Sequence, residues 1–475
     1  MKTVRTRFAP SPTGFMHVGG VRTALFAWLI AKQASGQFIL RIEDTDKVRE
    51  VEGSEKHIIE SLKFLGINWD EGPDIGGQYG SYRQSERLDT YKEWAYKLVK
   101  AGRAYPDPYS QEELEELRDL AKASKKPFLF REHRPETMPM WDGKSTLRFK
   151  SDPKPYKWTD EVMGELSTGP EAIDDYIIMK NDGYPTYNFA HIIDDEIMKI
   201  THVIRSQEFI SSTPKFLNMY EALEIERPKL VTLPFVLGPD GKKKLSKRDG
   251  AKDILTYQQE GYLPEALLNF LATLGWNDGT TQEVFTKEEL VTKFDMSRIN
   301  RAGAKFDEQR LVWLNGFYIR STDTNNLLVK SRDFWPKESE KFDDEYKIKV
   351  IDLIKERLKF YSEIPDLTNF FFTELPVDLN LIKDNKFLGK LSMPEIRSLI
   401  ETSLVKLKDS DFSVSDLTDK LNLLLHETDK KPGELFSLIR IITTWSQSSP
   451  ALAESLSVLG KEQVLKRFDI ALKAI

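Results

Sequence analysis

Two stretches, far apart in the chain, hold residue types suited to phosphate chemistry. The first is Phe8-Ala-Pro-Ser-Pro-Thr-Gly-Phe-Met-His17-Val-Gly19-Gly20. An imidazole at His17 can donate a hydrogen bond to a phosphate oxygen as charge develops there. Gly19 and Gly20 carry no side chain, so a flat ring or a phosphate can approach the backbone closely. The second is Gly241-Lys-Lys-Lys244-Leu-Ser246-Lys247-Arg248. Its cations match what a triphosphate and a pentavalent transition state need for neutralisation. Each stretch also has a plain reading: a strand-to-helix turn with an incidental His, and a solvated lysine loop.

The flanking sequence says how such residues would be positioned. Residues 4–8 predict a short strand, and Pro10, Ser11, Pro12, Thr13 and Gly14 break regular structure. From Val18, the residues Val21, Leu25, Trp28 and Leu29 recur at helical spacing. A helix start there offers unpaired N–H groups and a positive dipole end, both attractive to phosphate. Pro239-Asp240-Gly241 predicts the turn that launches the lysines. Phe38-Ile-Leu-Arg-Ile42 predicts a buried strand ending at Glu43, and carboxylates at the end of a parallel strand lie where such sheets bind ligands. Residues 184–195 predict a turn leading into a helix, and Val203-Ile-Arg205 a strand end. Residues 263–276 predict an amphipathic helix ended by Gly275, and residues 306–316 another with a Gly stop. From about residue 323 the periodicity is helical, as in 350–358, 417–425 and 435–445.

Together, His17-Val18-Gly19-Gly20 and Lys244-Leu245-Ser246-Lys247-Arg248 resemble the two signature motifs of class I aminoacyl-tRNA synthetases. Further stretches resemble the glutamyl-tRNA synthetase family in order and spacing. These are Arg7-Phe-Ala-Pro-Ser-Pro-Thr-Gly, Arg41-Ile-Glu43-Asp-Thr-Asp46, Tyr82-Arg-Gln-Ser-Glu-Arg87, Asp182-Gly-Tyr-Pro-Thr-Tyr187 and Val203-Ile-Arg205. The resemblance covers nearly the whole chain and is weaker in its last third.

The resemblance implies an α/β fold. A Rossmann-like parallel-sheet catalytic domain (residues 1–105 and 191–249) would be interrupted by an inserted α+β domain for the tRNA acceptor end (106–190). An all-α stem-contact domain (250–322) and an all-α anticodon-binding domain (323–475) would follow. The implied activity is ATP-dependent attachment of L-glutamate to tRNA(Glu) through a glutamyl-adenylate, by a monomer, with Mg2+ accompanying ATP. His17, Lys244 and Lys247 would be catalytic. Gly19, Gly20, Glu208, Leu237, Leu245, Ser246 and Arg248 would complete the ATP site. Arg7, Ala9, Ser11, Glu43, Tyr187, Asn188, His191 and Arg205 would form the glutamate site, and Arg357 would read the anticodon.

Within that scheme Glu43 holds the substrate ammonium by a charge-assisted hydrogen bond, and Arg7 and Arg205 reach its carboxylates. Glutamine leaves an arginine poorly paired, so discrimination needs no editing domain. Plainer readings stand beside these: a helix cap or surface ion pair for Glu43, core packing for Tyr187, an ion pair with Asp194 or Glu208 for Arg205. His191 occupies a position where the family usually has Asn or an apolar residue, which favours a structural His. A solvated helix Arg is as good a reading of Arg357. Some relatives bind zinc through cysteines in the insertion. Tyr105-Pro-Asp-Pro-Tyr109 has none and His133 reads as solvated, so no structural zinc is expected.

Composition agrees with a soluble multidomain protein of 475 residues. Zero cysteines exclude disulfides and thiolate metal sites. There is no apolar run of membrane-spanning length and no signal-like core at the start, so a cytoplasmic location is expected. The net charge of −6 leaves RNA binding to local patches rather than bulk charge. Three rivals are glutaminyl-tRNA synthetase, a truncated glutamate-transferring relative and a catalytically dead tRNA-binding paralogue. The helical C-terminal region, the chain length and the intact signature motifs weigh against them in turn.

Overall fold

The computed structural model describes residues 3–246, 252–446 and 449–475. The chain divides into two compact units, Met1–Gln258 with Pro264–Glu308, and Gln259–Leu263 with Gln309–Ile475.

The first unit is built on a six-stranded sheet in the order β2-β1-β8-β9-β5-β6. Its strands are β1 (Arg5–Phe8), β2 (Gln37–Leu40), β5 (Tyr156–Asp160), β6 (Gly164–Thr168), β8 (His202–Ser206) and β9 (Lys229–Leu233). β1 runs parallel to β2, from Arg5 opposite Gln37 to Phe8 opposite Leu40, and meets β8 through Thr6 and His202. β8 and β9 continue the parallel array. β5 adds to β9 at Asp160 and Leu230, and β6 folds back antiparallel. Residues 156–168, inside the stretch expected as an insertion, thus extend the main sheet. All of β1 is buried, as befits a parallel strand covered on both faces.

α1 (Val18–Gln33) packs on this sheet with a nearly continuous apolar surface, Val21 to Ala31. It returns to β2 through Gly36, where an added Cβ would collide with the Val4 carbonyl oxygen. α2 (Ser54–Phe64) and α3 (Leu88–Lys100) follow. A smaller antiparallel sheet pairs β3 (Ala104–Pro106) with β4 (Leu147–Phe149) and β4 with β7 (Tyr176–Met179). α4 (Gln111–Ala123) lies between β3 and β4 in sequence, carries a Ser110–Glu113 capping box and buries no residue. One apolar cluster (Tyr91, Leu98, Phe149, Phe189, Phe216) joins the small sheet to α3, α5 (Tyr187–Ile197) and α6 (Thr213–Ala222). That cluster fixes α5 against the small sheet. The unit also holds β10 (Val236–Leu237), parallel to β11 (Ala304–Lys305), with α7 (Ile254–Gln259), α8 (Pro264–Thr273) and α9 (Lys287–Lys293).

Two glycines expected as helix stops behave differently. Gly275, just past α8, has φ +95, the left-handed conformation such a stop uses. Gly316 does not stop its helix: α10 (Glu308–Ser321) runs through it. Gly316 is absent from the positive-φ residues and is buried within α10. The sequence expectation is corrected there.

Every regular element described in the second unit is helical. After α10, the α-helices are α11 (Thr324–Lys330), α12 (Asp344–Ile354), α13 (Ile364–Phe372), α14 (Asn380–Lys383), α15 (Met393–Lys408), α16 (Val414–Thr428), α17 (Pro432–Thr444), α18 (Leu452–Leu459) and α19 (Lys461–Ala474). Ile400, Leu421, Leu438, Ile439 and Phe468 belong to one buried core. Buried Arg467 donates to the carbonyls of Phe370 and Thr373 beside it. Among the described residues no helix is long and apolar enough to cross a membrane.

Candidate functional site

The carboxyl ends of β1, β2, β8 and β9 open onto a cavity of about 910 Å3, where parallel sheets of this kind bind ligands. One end is lined by Arg7, Ala9, Ser11, Glu43, Tyr187, Asn188 and Arg205. His17, Gly19, Gly20, Glu208, Lys244 and Leu245 line it as well.

The glutamate-type end rests on a buried ionic cluster. Arg41, fully buried, donates from Nη2 to Glu43 Oε1 and lies 2.9 Å from Asp195 Oδ1 as well. Its Nε is 3.7 Å from Asp194 Oδ2. Asp194 also takes Arg87 Nε at 2.8 Å and the hydroxyl of Tyr91 at 2.7 Å. Arg7 donates from Nε to Asp195 Oδ1 at 3.1 Å and from Nη1 to the Ile204 carbonyl. Burial works against ionisation of Asp195, but Arg7 and Arg41 outweigh it and hold the carboxyl well below its ordinary range. Glu43 differs. Burial raises its carboxyl, and Arg41 and Arg7 only partly oppose the rise. A second cation beside Glu43, such as a ligand ammonium, favours its ionised form.

Arg41→Met leaves three buried carboxylates short of a cation. The expected cost is about 3–5 kcal/mol, measured as a lower denaturant midpoint for the first unit. The Asp195 contribution has the sign of a depressed acid: it is present above the ordinary value of 3.8 and is lost as the pH falls below it.

Arg205 stands apart from this cluster. It is 8% exposed, and among the described residues it forms no ion pair. Its Nε has no hydrogen-bond partner. Both acids considered as partners are engaged elsewhere, Asp194 with Arg87 and Glu208 with Lys244 at 2.6 Å. Arg7 and Arg205 are therefore not equivalent: among the described residues Arg7 has an internal carboxylate and Arg205 has none. Burial pushes the Tyr187 phenol up, so its hydroxyl stays protonated as a donor.

The phosphate-type end starts at His17, the N-cap of α1. Its Nδ1 accepts the Gly19 N–H at 3.2 Å. That bond assigns the ring proton to Nε2, which becomes a donor. A Cβ at Gly20 would meet only Met16 at ordinary contact distance, while one at Gly19 would press on the His17 ring at 3.3 Å. Lys244 is paired with Glu208 and lies 5.1 Å from the centroid of Phe235. His57 ties the two stretches together. Its Nδ1 accepts Met16 N–H, and its Nε2 lies 3.0 Å from Asp253 Oδ1 beyond the lysines.

Three expected residues sit off the cavity wall. Leu237 is on β10, bridged to Lys244. Ser246 is exposed on the lysine stretch. His191 is wholly buried beneath Tyr187, with Nδ1 2.6 Å from the Tyr187 carbonyl. It is absent from the cavity lining, which fits the plainer reading of a structural His. Lys247 and Arg248 lie outside the described residues. In the second unit Arg357 is exposed after α12 and donates to the Ser449 carbonyl at 2.8 Å. His133 is half-buried and stacked on Phe128 rather than solvated. Among the described residues no group of three or more His, Asp or Glu is placed to hold a metal.

The sequence reading gave Arg41 and Asp195 no role of their own and took Asp194 only as a possible partner of Arg205. A signal was present: one cation inside the apolar run Phe38-Ile-Leu-Arg-Ile42, and two acids on the apolar helix α5. Charges inside buried elements require each other.

The family described as tRNA synthetases class I (E and Q), catalytic domain, matches residues 3–313, and an anticodon binding domain matches residues 326–472. A glutamate–tRNA ligase of Dehalococcoides mccartyi is 39% identical over 478 residues, covering 99% of this chain and 97% of the relative. One from Natranaerobius thermophilus is 40% identical over 486 residues, with 99% of each covered. The crystal structure of a glutamate tRNA ligase from Elizabethkingia meningosepticum, in complex with its amino acid, superposes with a TM-score of 0.87. It is 33% identical and covers 99% of each chain.

Proposed function

The chain belongs to the class I tRNA synthetases for glutamate and glutamine, and from that premise we infer that it is a glutamate–tRNA ligase. The observation that carries the choice of glutamate is Arg205, a buried guanidinium on the cavity wall that forms no ion pair among the described residues. A buried cation in that state calls for an anion from outside, and the distal carboxylate of glutamate is one. Glu43 would take the ammonium and Tyr187 would add a hydrogen bond. Ala9, Ser11 and Asn188 would line the amino-acid pocket.

The reaction has two steps. An oxygen of the glutamate α-carboxylate attacks the α-phosphorus of ATP, which enters as its Mg2+ complex, and pyrophosphate leaves. The terminal ribose hydroxyl of tRNA(Glu) then attacks the activated carbonyl and AMP leaves. The chain supplies no nucleophile of its own; it positions the reactants and stabilises developing charge. His17 Nε2–H and Lys244 would meet phosphate oxygens, with Lys244 released from Glu208 as ATP arrives. Lys247 and Arg248 would add charge. Gly19, Gly20, Leu237, Leu245 and Ser246 would frame the nucleoside side.

Residues 106–190 would meet the acceptor end, 250–322 the stem and 323–475 the anticodon, with Arg357 as a base contact. We assign the protein to the cytoplasm, acting as a monomer.

The test is charging of purified tRNA with labelled glutamate and, separately, labelled glutamine, with ATP present. Glutamate-only charging of tRNA(Glu) is the expected result. Inertness toward glutamate, with tRNA binding retained, would overturn the reading and favour a non-catalytic tRNA-binding role.

A further inference from the structure

Arg205 must hold its direction without the acid that usually orients a buried arginine. Its surroundings are aromatic. The guanidinium carbon lies 5.2 Å from the ring centroid of Phe209 and 5.0 Å from that of Phe216. Phe209 lines the cavity, in the short helical segment Gln207–Ser212. Phe216 is on α6, 3% exposed and off the cavity wall. These rings are themselves braced. Tyr187 packs on Phe209 at 5.6 Å and stacks on His191 at 4.6 Å with planes 16° apart. His191 meets Phe216 edge-on at 4.6 Å. Burial, aided by the Arg205 charge, keeps His191 far below its ordinary value and so neutral.

We propose that Phe209 and Phe216, braced by Tyr187 and His191, form an aromatic cage that holds the Arg205 guanidinium in place without neutralising it. The two rings are positioning residues that set selection of a carboxylate over a carboxamide. The physical reason is a contrast between two ways of holding a cation. A carboxylate partner would orient Arg205 and also cancel its charge, leaving a neutral site that a carboxamide oxygen could satisfy. The face of an aromatic ring attracts the cation through its quadrupole and leaves the charge in place. The full charge then remains for the incoming ligand, and a carboxamide leaves it unmatched. This proposal rests on Arg205 reading the distal carboxylate of glutamate.

The experiment replaces Phe216 with phenylalanines bearing increasing numbers of ring fluorines, which weaken the quadrupole while nearly preserving shape. Charging of tRNA(Glu) by the full chain is followed with varied glutamate and with varied ATP. The expected result is a KM for glutamate that climbs with each fluorine, to about three- to thirtyfold at full fluorination. The KM for ATP stays constant, and the ratio of glutamate to glutamine kcat/KM falls in parallel. A KM for glutamate indifferent to fluorination overturns the cage, as does an equal rise for ATP, which would mark general loosening. An Arg205→Met control separates the two levels of the argument. If that variant keeps its glutamate KM, the carboxylate reading itself has failed. If it loses glutamate while fluorination does nothing, only the cage has failed.

Discussion

Arg205→Met lowers kcat/KM for glutamate by about a hundred- to a thousandfold and leaves the fold intact. Truncating one partner of a buried charged pair costs about 2–5 kcal/mol, and each 1.4 kcal/mol is tenfold. Here the partner is the substrate, so the loss falls on binding and catalysis. The folded protein contains no anion waiting for Arg205 among the described residues, so its removal leaves no internal acid stranded. Methionine can fill the space between Phe209 and Phe216. The melting temperature should therefore hold or rise, in contrast to Arg41→Met, where Glu43, Asp194 and Asp195 lose a cation they share. Charging kinetics with glutamate and with glutamine check this. A drop smaller than about tenfold, or a selectivity ratio that does not move, would remove Arg205 from the substrate site.

His17 carries the second large effect, and its two roles can be separated. As the α1 N-cap it satisfies the Gly19 N–H through Nδ1; as a donor it would use Nε2–H on the α-phosphate side. Serine is a favoured N-cap residue but is too short to reach a ligand phosphate. His17→Ser should keep helix α1 capped and still slow glutamyl-adenylate formation by about a hundred- to a thousandfold, the usual effect of losing one transition-state donor. His17→Ala should show the same kinetic loss plus about 1 kcal/mol of lost stability. Adenylate formation is measured with tRNA present, by rapid quench. A His17→Ser enzyme with near-normal adenylation would reduce His17 to a cap.

What could be read from the sequence follows the range of the forces involved. The strand, turn and helix across residues 5–33 were legible because strand and helix periodicities are local. So was the left-handed stop at Gly275, whereas Gly316 carried the same letter in a helix interior where φ stays negative. No local rule separates those two glycines. The cavity wall was legible at Glu43 from its place at a strand end, and at Arg7, Tyr187 and Arg205 only through the resemblance of their motifs. The partners that decide their behaviour were not. Arg7 meets Asp195 188 positions away, and nothing near Arg205 announces that Phe209 and Phe216 face it. His191 shows the limit in the other direction: it falls in a motif with site residues, yet helical geometry turns it under Tyr187 and away from the cavity.

The strand order has a consequence for how the protein is made. β1 sits between β2 and β8, and its β8 neighbour lies 196 positions downstream. On a ribosome adding about 5–20 residues per second, one side of β1 waits roughly 10–40 s for that neighbour to emerge. During that interval a strand that is buried in the finished fold keeps an open row of backbone donors and acceptors, the kind of edge that captures other chains. The nascent first hundred residues are thus the segment most in need of a chaperone, and slowing translation between codons 40 and 200 should lower the soluble yield more than slowing it after codon 320.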